Sequence, residues 1–468
     1  VGLVIGSIIG SGIFVSSSQM SRILPSGSQL IGVWIFAGFM TTLGALTQAE
    51  LCSRMPVTGG LYTYFRELFG PALGFFYGWA NFMIAGSGAI AAIAFIFAGY
   101  LGEFVPLWQP PQIWQTWPLT IPYLGILYPA ADLGEKLVGS ALILFLTALN
   151  ARGVKLGARL QSASVTAKTL AILIIIFIAF SFAEHGTWQH LARAPSIRST
   201  ETSWISLWFL AMGGAFWAYD GWGNIAYVGG EVRNPKKNLP LAILLGTGLV
   251  IAIYVLVNLA YIYVLPIEQI GDAPGNRVAS SMMNTVLGQR GVTLIAALIL
   301  LSTFDTVNSS ILTNARVYFA MAKDRLFWDG AGVVHPTRHT PSASLWLQGL
   351  WSVILLVSGS FDLITSMYVF VNWAFYLMIP ISLFVLRKRK QGEYGDTFKV
   401  PFYPLLPLGF ALFTAVYLIQ TLVVDIQAYR AHTQPCIKSL MGIALVLSGL
   451  PFYIYLRNSR KTNPRANH

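Results

Sequence analysis

The chain has 468 residues, of which 55% are hydrophobic and only 10% charged, more apolar surface than a soluble domain of this size can bury or expose. Its formal charge of +12 is not gathered into one basic region, so it does not mark a nucleic-acid partner. What remains is a protein embedded in a lipid bilayer.

A helix needs roughly 20 mostly apolar residues to cross the hydrocarbon core, and the chain holds about twelve such segments. They are centred near Ile8, Phe39, Ile84, Leu144, Ile174, Phe216, Ile253, Ile299, Val353, Val371, Leu412 and Leu445. A membrane β-barrel would show shorter, alternating runs, so the fold class is an all-α polytopic membrane protein.

The first run, Val1 to Phe14, is interrupted by Gly10-Ser11-Gly12. Val1 already lies inside it, so a basic cytoplasmic lead-in is expected ahead of it. No small-residue cleavage site marks the run as a signal peptide. The connection from Gly102 to Asp132 is rich in Pro and Trp, including Trp108, Trp114 and Trp117, and reads as an interfacial belt or cap.

The sixth run, Leu207 to Val228, carries breaks at Gly213-Gly214 and at Asp220-Gly221. A broken helix followed by intact ones thus occurs twice, which is the pattern of inverted repeats built around a midplane site. The expected organisation is one transmembrane domain, 1–468, with a first repeat at 1–184, a second at 204–386, and helices 11 and 12 within 403–457. The polar loops 231–240 and 387–404 are too short to be domains.

Of the 30 Lys and Arg residues, 21 fall on one set of alternate connections and eight on the other, with Lys168 inside a span. The positive-inside bias places both termini in the cytoplasm, in a plasma membrane. Cys52 and Cys436 then lie on opposite sides, too far apart to pair. The six histidines fall in loops or the tail on both sides, so no acid–base or metal set is visible, and neither enzyme, metal nor cofactor is expected.

The breaks carry the chemistry. At the first, small residues could serve a close helix crossing. Alternatively, the unwound turn leaves the N–H groups of Ser11 and Gly12 at the start of a half-helix, whose positive end suits a carboxylate, while free carbonyls such as that of Ile8 suit an ammonium. At the second, Asp220 is an acid in mid-membrane, which faces either a cavity or a partner; it reads a substrate or holds the turn in shape. Trp217 is core packing or a gate over a ligand. Tyr254 and Asn258 share a face of the seventh span, for interhelical bonding or for substrate.

The strings Ile8-Ile9-Gly10-Ser11-Gly12-Ile13-Phe14, Phe216-Trp217-Ala218-Tyr219-Asp220-Gly221-Trp222 and Glu231-Val232-Arg233-Asn234-Pro235, with 308–323 and 399–404, resemble the L-type amino acid transporter family of the amino acid, polyamine and organocation superfamily, over essentially the whole chain. The resemblance implies a LeuT-like fold with helices 1 and 6 unwound. It implies a substrate α-carboxylate at Ser11 and Gly12, an α-amino group at carbonyls near Ile8, Phe216 and Ala218, and Trp217 as the aromatic gate.

Lys168 matches that family's fifth-helix lysine, which stands where sodium-coupled relatives hold a cation. Its expected partners are carbonyls near Gly6 and hydroxyls near Ser302 or Thr303. Asp305 departs from the small residue usual there, and either alters substrate charge preference or bonds locally. Animal members bond a heavy chain through a cysteine between spans three and four. Gly102 to Asp132 contains none, so the chain resembles stand-alone prokaryotic members, without a disulfide-linked partner.

The implied activity is a sodium-independent exchanger of neutral L-amino acids working by alternating access. Proton-coupled symport through Lys168 or Asp220, and antiport of cationic amino acids or polyamines against Asp220, are the alternatives.

Overall fold

The computed structural model describes residues 2–55, 60–153, 158–182, 184, 186–192, 203–224, 234–389 and 397–462. Glu231, Val232 and Arg233 of the third motif string lie outside them.

The first apolar run folds as two short helices, α1 (Gly2–Ile8) and α2 (Ser16–Ser21), on either side of a single 3-10 turn, Gly12–Phe14. There follow α3 (Gly27–Arg54), α4 (Gly60–Phe69), α5 (Pro71–Ala80), α6 (Gly86–Leu101), α7 (Leu133–Ala151) and α8 (Ala158–Phe182). The second half holds α9 (Trp204–Tyr219), α10 (Pro235–Val264), α11 (Val278–Lys323), α12 (Ser342–Ser358), α13 (Phe361–Tyr376) and α14 (Met378–Arg389). The last helices are α15 (Leu405–Arg430), α16 (Lys438–Leu447) and α17 (Gly449–Thr462).

Among the described residues, nine stretches are long and apolar enough to cross a membrane. With the shorter α9 and α12 and the interrupted α1–α2, they account for the twelve crossings expected. The protein is an all-α, multi-pass membrane protein.

Local chemistry sets several helix starts. Ser26, Ser203 and Ser360 each accept a hydrogen bond from the third residue onward, Gln29, Ser206 and Leu363, satisfying a donor that a helix start leaves without partner. Pro71 and Pro235 open α5 and α10, where a missing N–H costs nothing.

Two sets of helices build the body. Broken α1 and α2 pack with α3, α9 and α10, while α6, α7, α11 and α12 pack on one another and α8 lies along α11. Charged contacts fasten the first set to the helices that follow α12, at both ends. At one, fully buried Glu50 of α3 pairs with Arg54 (2.7 Å) and accepts from both Nε and Nη2 of Arg387 on α14 (2.8 and 2.7 Å) and from the Val400 N–H (2.7 Å). At the other, Arg22 donates to the Gly271 carbonyl (2.8 Å) and pairs with Asp362 (3.7 Å), which also accepts from Gln19.

Several features differ from the sequence reading. Gly213 and Gly214 do not break α9, which runs through them to Tyr219. Their smallness serves packing instead, since a Cβ on Gly214 would lie 2.8 Å from Cγ of Met20 on α2. The third span contains a π turn, Asn81–Ala85, and its loosened polar groups are met by Tyr318, whose hydroxyl donates to the Asn81 carbonyl and side-chain oxygen (3.2 and 2.9 Å).

The connection after α6 forms a small antiparallel hairpin, β1 (Leu119–Ile121) with β2 (Gly125–Leu127). It is tied to the loop before α16 by Ile126 N–H to Pro435 and Ile437 N–H to Leu124 (2.8 and 2.9 Å). Trp108, Trp114 and Trp117 are exposed around it. Lys136, expected in the same connection, sits buried in the first turn of α7 and donates to the carbonyls of Tyr128 and Pro129 (3.3 and 3.0 Å). Lys168 is therefore not the only lysine drawn into a span. Cys52 and Cys436 are free and buried.

Candidate functional site

The two interrupted spans cross each other at their breaks. In the first, α1 ends at Ile8, and the chain resumes hydrogen bonding only with Phe14 N–H to Ser11 O (3.2 Å) and Val15 N–H to Gly12 O (3.1 Å). Among the described residues, the N–H groups of Ser11, Gly12 and Ile13 meet no acceptor. Buried donors without partners are rare and costly, so three together define a place for an acceptor.

In the second break, α9 stops at Tyr219 with a weak final bond, Asp220 N–H to Trp217 O (3.4 Å). The chain then turns at Gly221, whose φ of +108° is a conformation that suits glycine. A Cβ there would stand 2.2 Å from the Ser7 carbonyl oxygen. One step along the crossing, a Cβ on Gly12 would lie 2.7 Å from the Ala218 Cα and 3.2 Å from Cδ1 of Trp217. Backbone thus meets backbone at both contacts, and glycine is what permits it.

Tyr254 on α10 fastens the two breaks together. Its hydroxyl is positioned 3.1 Å from the Ile8 carbonyl and 3.2 Å from that of Ala218. A carbonyl has two lone pairs, so both retain capacity for a second donor. The Phe216 carbonyl, in the last turn of α9, receives no backbone donor from the turn that follows.

The residues around the crossing sort by direction. Trp217 is buried and meets Tyr368 edge-on at 4.8 Å and Phe361 at 6.4 Å. The Phe216 ring packs farther along the same helix, α13, against Trp373 at 3.8 Å, and against Tyr417 at 5.1 Å. The Asn258 side chain bonds across to α2, where it accepts from Ser17, and within its own helix, where it donates to the Tyr254 carbonyl (2.8 Å).

Asp220 accepts hydrogen bonds from Tyr368 and from Tyr376 (2.7 Å), both on α13. Those tyrosines were not among the sequence candidates. Eight residues apart, they stack on one face two turns from each other, a spacing within an apolar span that could have singled them out.

Lys168 reaches the frayed end of α1, where its ammonium donates to the carbonyls of Gly6 (3.3 Å) and Ile9 (2.9 Å). The hydroxyls expected beside it do not take part: Thr303 donates within its own helix to Ile299 (2.8 Å), and the Ser302 hydroxyl meets no partner. Carbonyls at a helix end lack N–H partners and carry the negative end of its dipole, so they hold a cation better than a neutral hydroxyl does. Asp305, buried on α11, is the acid whose charge acts on Lys168.

Set against known proteins, residues 1–446 match the family described as amino acid permease. The chain is similar to the serine/threonine exchanger SteT of Bacillus subtilis, 30% identical over 98% of this chain and 95% of that protein. It is similar to the human b(0,+)-type amino acid transporter 1, 28% identical over 97% and 85%. It is also similar to the human large neutral amino acids transporter small subunit 2, 29% identical over 97% and 78%.

Proposed function

The chain belongs to the amino acid permease family, and from that premise we propose that it exchanges neutral L-amino acids across the plasma membrane, independently of sodium, by alternating access at the crossing of its two broken helices. The observation that carries the reading is the unsatisfied N–H triplet of Ser11, Gly12 and Ile13 at the same crossing where Tyr254 gathers the carbonyls of Ile8 and Ala218. Donors of the first break and carbonyls of both breaks match the carboxylate and ammonium of one amino acid.

In this reading the carboxylate lies at Ser11 and Gly12, the ammonium at the three carbonyls, and Trp217 closes over the side chain. Asp220, already serving two tyrosine hydroxyls, braces the second break rather than meeting a distal cation, which argues for neutral over cationic substrates. Lys168 holds the end of α1 with a fixed charge, so no movable sodium ion is needed there. The breaks belong to two inverted repeats, 1–184 and 204–386. Both termini face the cytoplasm, no disulfide-linked heavy chain is required, and the protein is a carrier rather than an enzyme. Names of the similar proteins, two of them transporters and one an exchanger, support exchange.

Purified protein in liposomes tests this. Labelled leucine or serine should enter vesicles loaded with unlabelled amino acid, equally in sodium and choline buffers, and should hardly enter empty ones. Equal entry into empty vesicles under an imposed pH gradient would instead establish proton-coupled symport.

Tyr254→Phe removes the single hydroxyl proton shared between the Ile8 and Ala218 carbonyls, a neutral hydrogen bond worth about 1 kcal/mol. Exchange should fall roughly fivefold, and initial-rate counterflow per folded transporter measures it. An unchanged rate would remove Tyr254 from the machinery.

A further inference from the structure

A cavity of about 130 Å³ lies against the first break, between α2, α6, α7 and the segment 274–277. Val15, Tyr100 and Phe361 supply apolar lining. Two contacts join it to the crossing: the Tyr100 hydroxyl donates to the Phe14 carbonyl (3.4 Å), and the Phe361 ring abuts Trp217.

Its polar lining carries both signs of charge, Asp132 and Glu135 together with Arg277. Arg277 gives only its Nε to Glu103 (2.7 Å), which leaves the Nη groups of the fork for another anion. Gly275, at a φ of +58°, makes room for them, since a Cβ there would lie 2.5 Å from Nη1. The Asp132 carboxylate accepts no hydrogen bond among the described residues, and that of Glu135 accepts one, from Gln109 (2.8 Å). Lys136 adjoins Glu135 in sequence and lies one helical turn on from Asp132, yet its ammonium is taken by the Tyr128 and Pro129 carbonyls. The carboxylates are therefore left without a direct ion pair.

Resting on the amino-acid carrier reading above, we propose that this cavity is a second amino-acid site, which holds a zwitterion between Arg277 and the Asp132–Glu135 pair before the ligand passes Trp217. The carboxylate meets the guanidinium fork, the ammonium meets the two acids, and an apolar side chain lies on Tyr100 and Phe361. Acidic amino acids, which add a second negative charge near Asp132 and Glu135, are disfavoured. Asn276 lines the same cavity and is gripped by Arg22 and Asp362, so a ligand here touches the segment that ties α2 to α13.

Equilibrium binding of labelled leucine to the purified full chain, paired with counterflow, tests the proposal. Wild type should bind two leucines per chain. Asp132→Asn with Glu135→Gln should bind one and still exchange leucine at saturation, with KM raised several-fold. Gly12→Val, which fills the crossing, should bind one and exchange none, and adding the two carboxylate changes should abolish that remaining binding. One leucine per chain in wild type, with KM unchanged in the carboxylate variant, would overturn the second site and leave the carrier reading standing. Neither binding nor counterflow in wild type would overturn both.

Discussion

Gly221→Ala is expected to reduce exchange by about two orders of magnitude or more, the combined effect of a strained backbone and a blocked crossing. The residue turns at a φ of +108°, where a non-glycine residue costs on the order of 1–3 kcal/mol. The added methyl would also stand 2.2 Å from the Ser7 carbonyl oxygen. That neighbour is backbone, so no rotamer change relieves the overlap, and the end of α1 must move away from the second break. Gly10→Ala provides the control. Its Cβ would meet only the Ile8 carbonyl, at an ordinary 3.8 Å, and exchange should stay within about twofold of wild type. Counterflow normalised to monodisperse protein measures both, and wild-type exchange by Gly221→Ala would mean that the breaks need not touch.

Lys168→Met should be nearly as damaging while preserving side-chain length and apolar packing. The ammonium makes two charge-assisted bonds to the Gly6 and Ile9 carbonyls, each worth about 1.5–3 kcal/mol. Without them the last carbonyls of α1 lose their cation in a low-dielectric setting, and the first break loses its fixed anchor. An exchange rate about 100-fold below wild type or lower is expected, with the protein still eluting as a single species. Lys168→Arg should not restore the rate, because a planar fork does not replace a compact ammonium at two carbonyls set by one helix end. Full sodium-independent exchange by Lys168→Ala or Lys168→Met would remove the anchoring role.

What the residues disclosed in advance depended on whether a feature was local. The crossings were legible because an apolar run of membrane length has few other uses, and the first break because Gly10-Ser11-Gly12 interrupts such a run. Gly213-Gly214 misled for a physical reason: glycine serves a close helix contact as well as an unwound turn, and only the neighbour, here Met20, separates the two. The π turn at Asn81–Ala85 has no compositional mark, being a shift in backbone bonding completed by Tyr318, far along the chain. The Asp220 latch was half visible, as an acid needing partners, while Tyr368 and Tyr376 lie some 150 residues away. Lys168 was conspicuous, but its carbonyl acceptors belong to the backbone, which side-chain identity does not report.

The central claim is that the breaks read the main-chain charges of an amino acid, donors of the first meeting the carboxylate and carbonyls of both meeting the ammonium. Competition against labelled leucine exchange by unlabelled leucine, by leucine's decarboxylated amine and by N-acetyl-leucine tests it most directly. The account predicts that leucine competes fully and that each analogue, lacking one of the two charges, competes at least about 100-fold more weakly, as expected when buried polar groups are left unpaired. Competition by the amine as strong as that of leucine would contradict it.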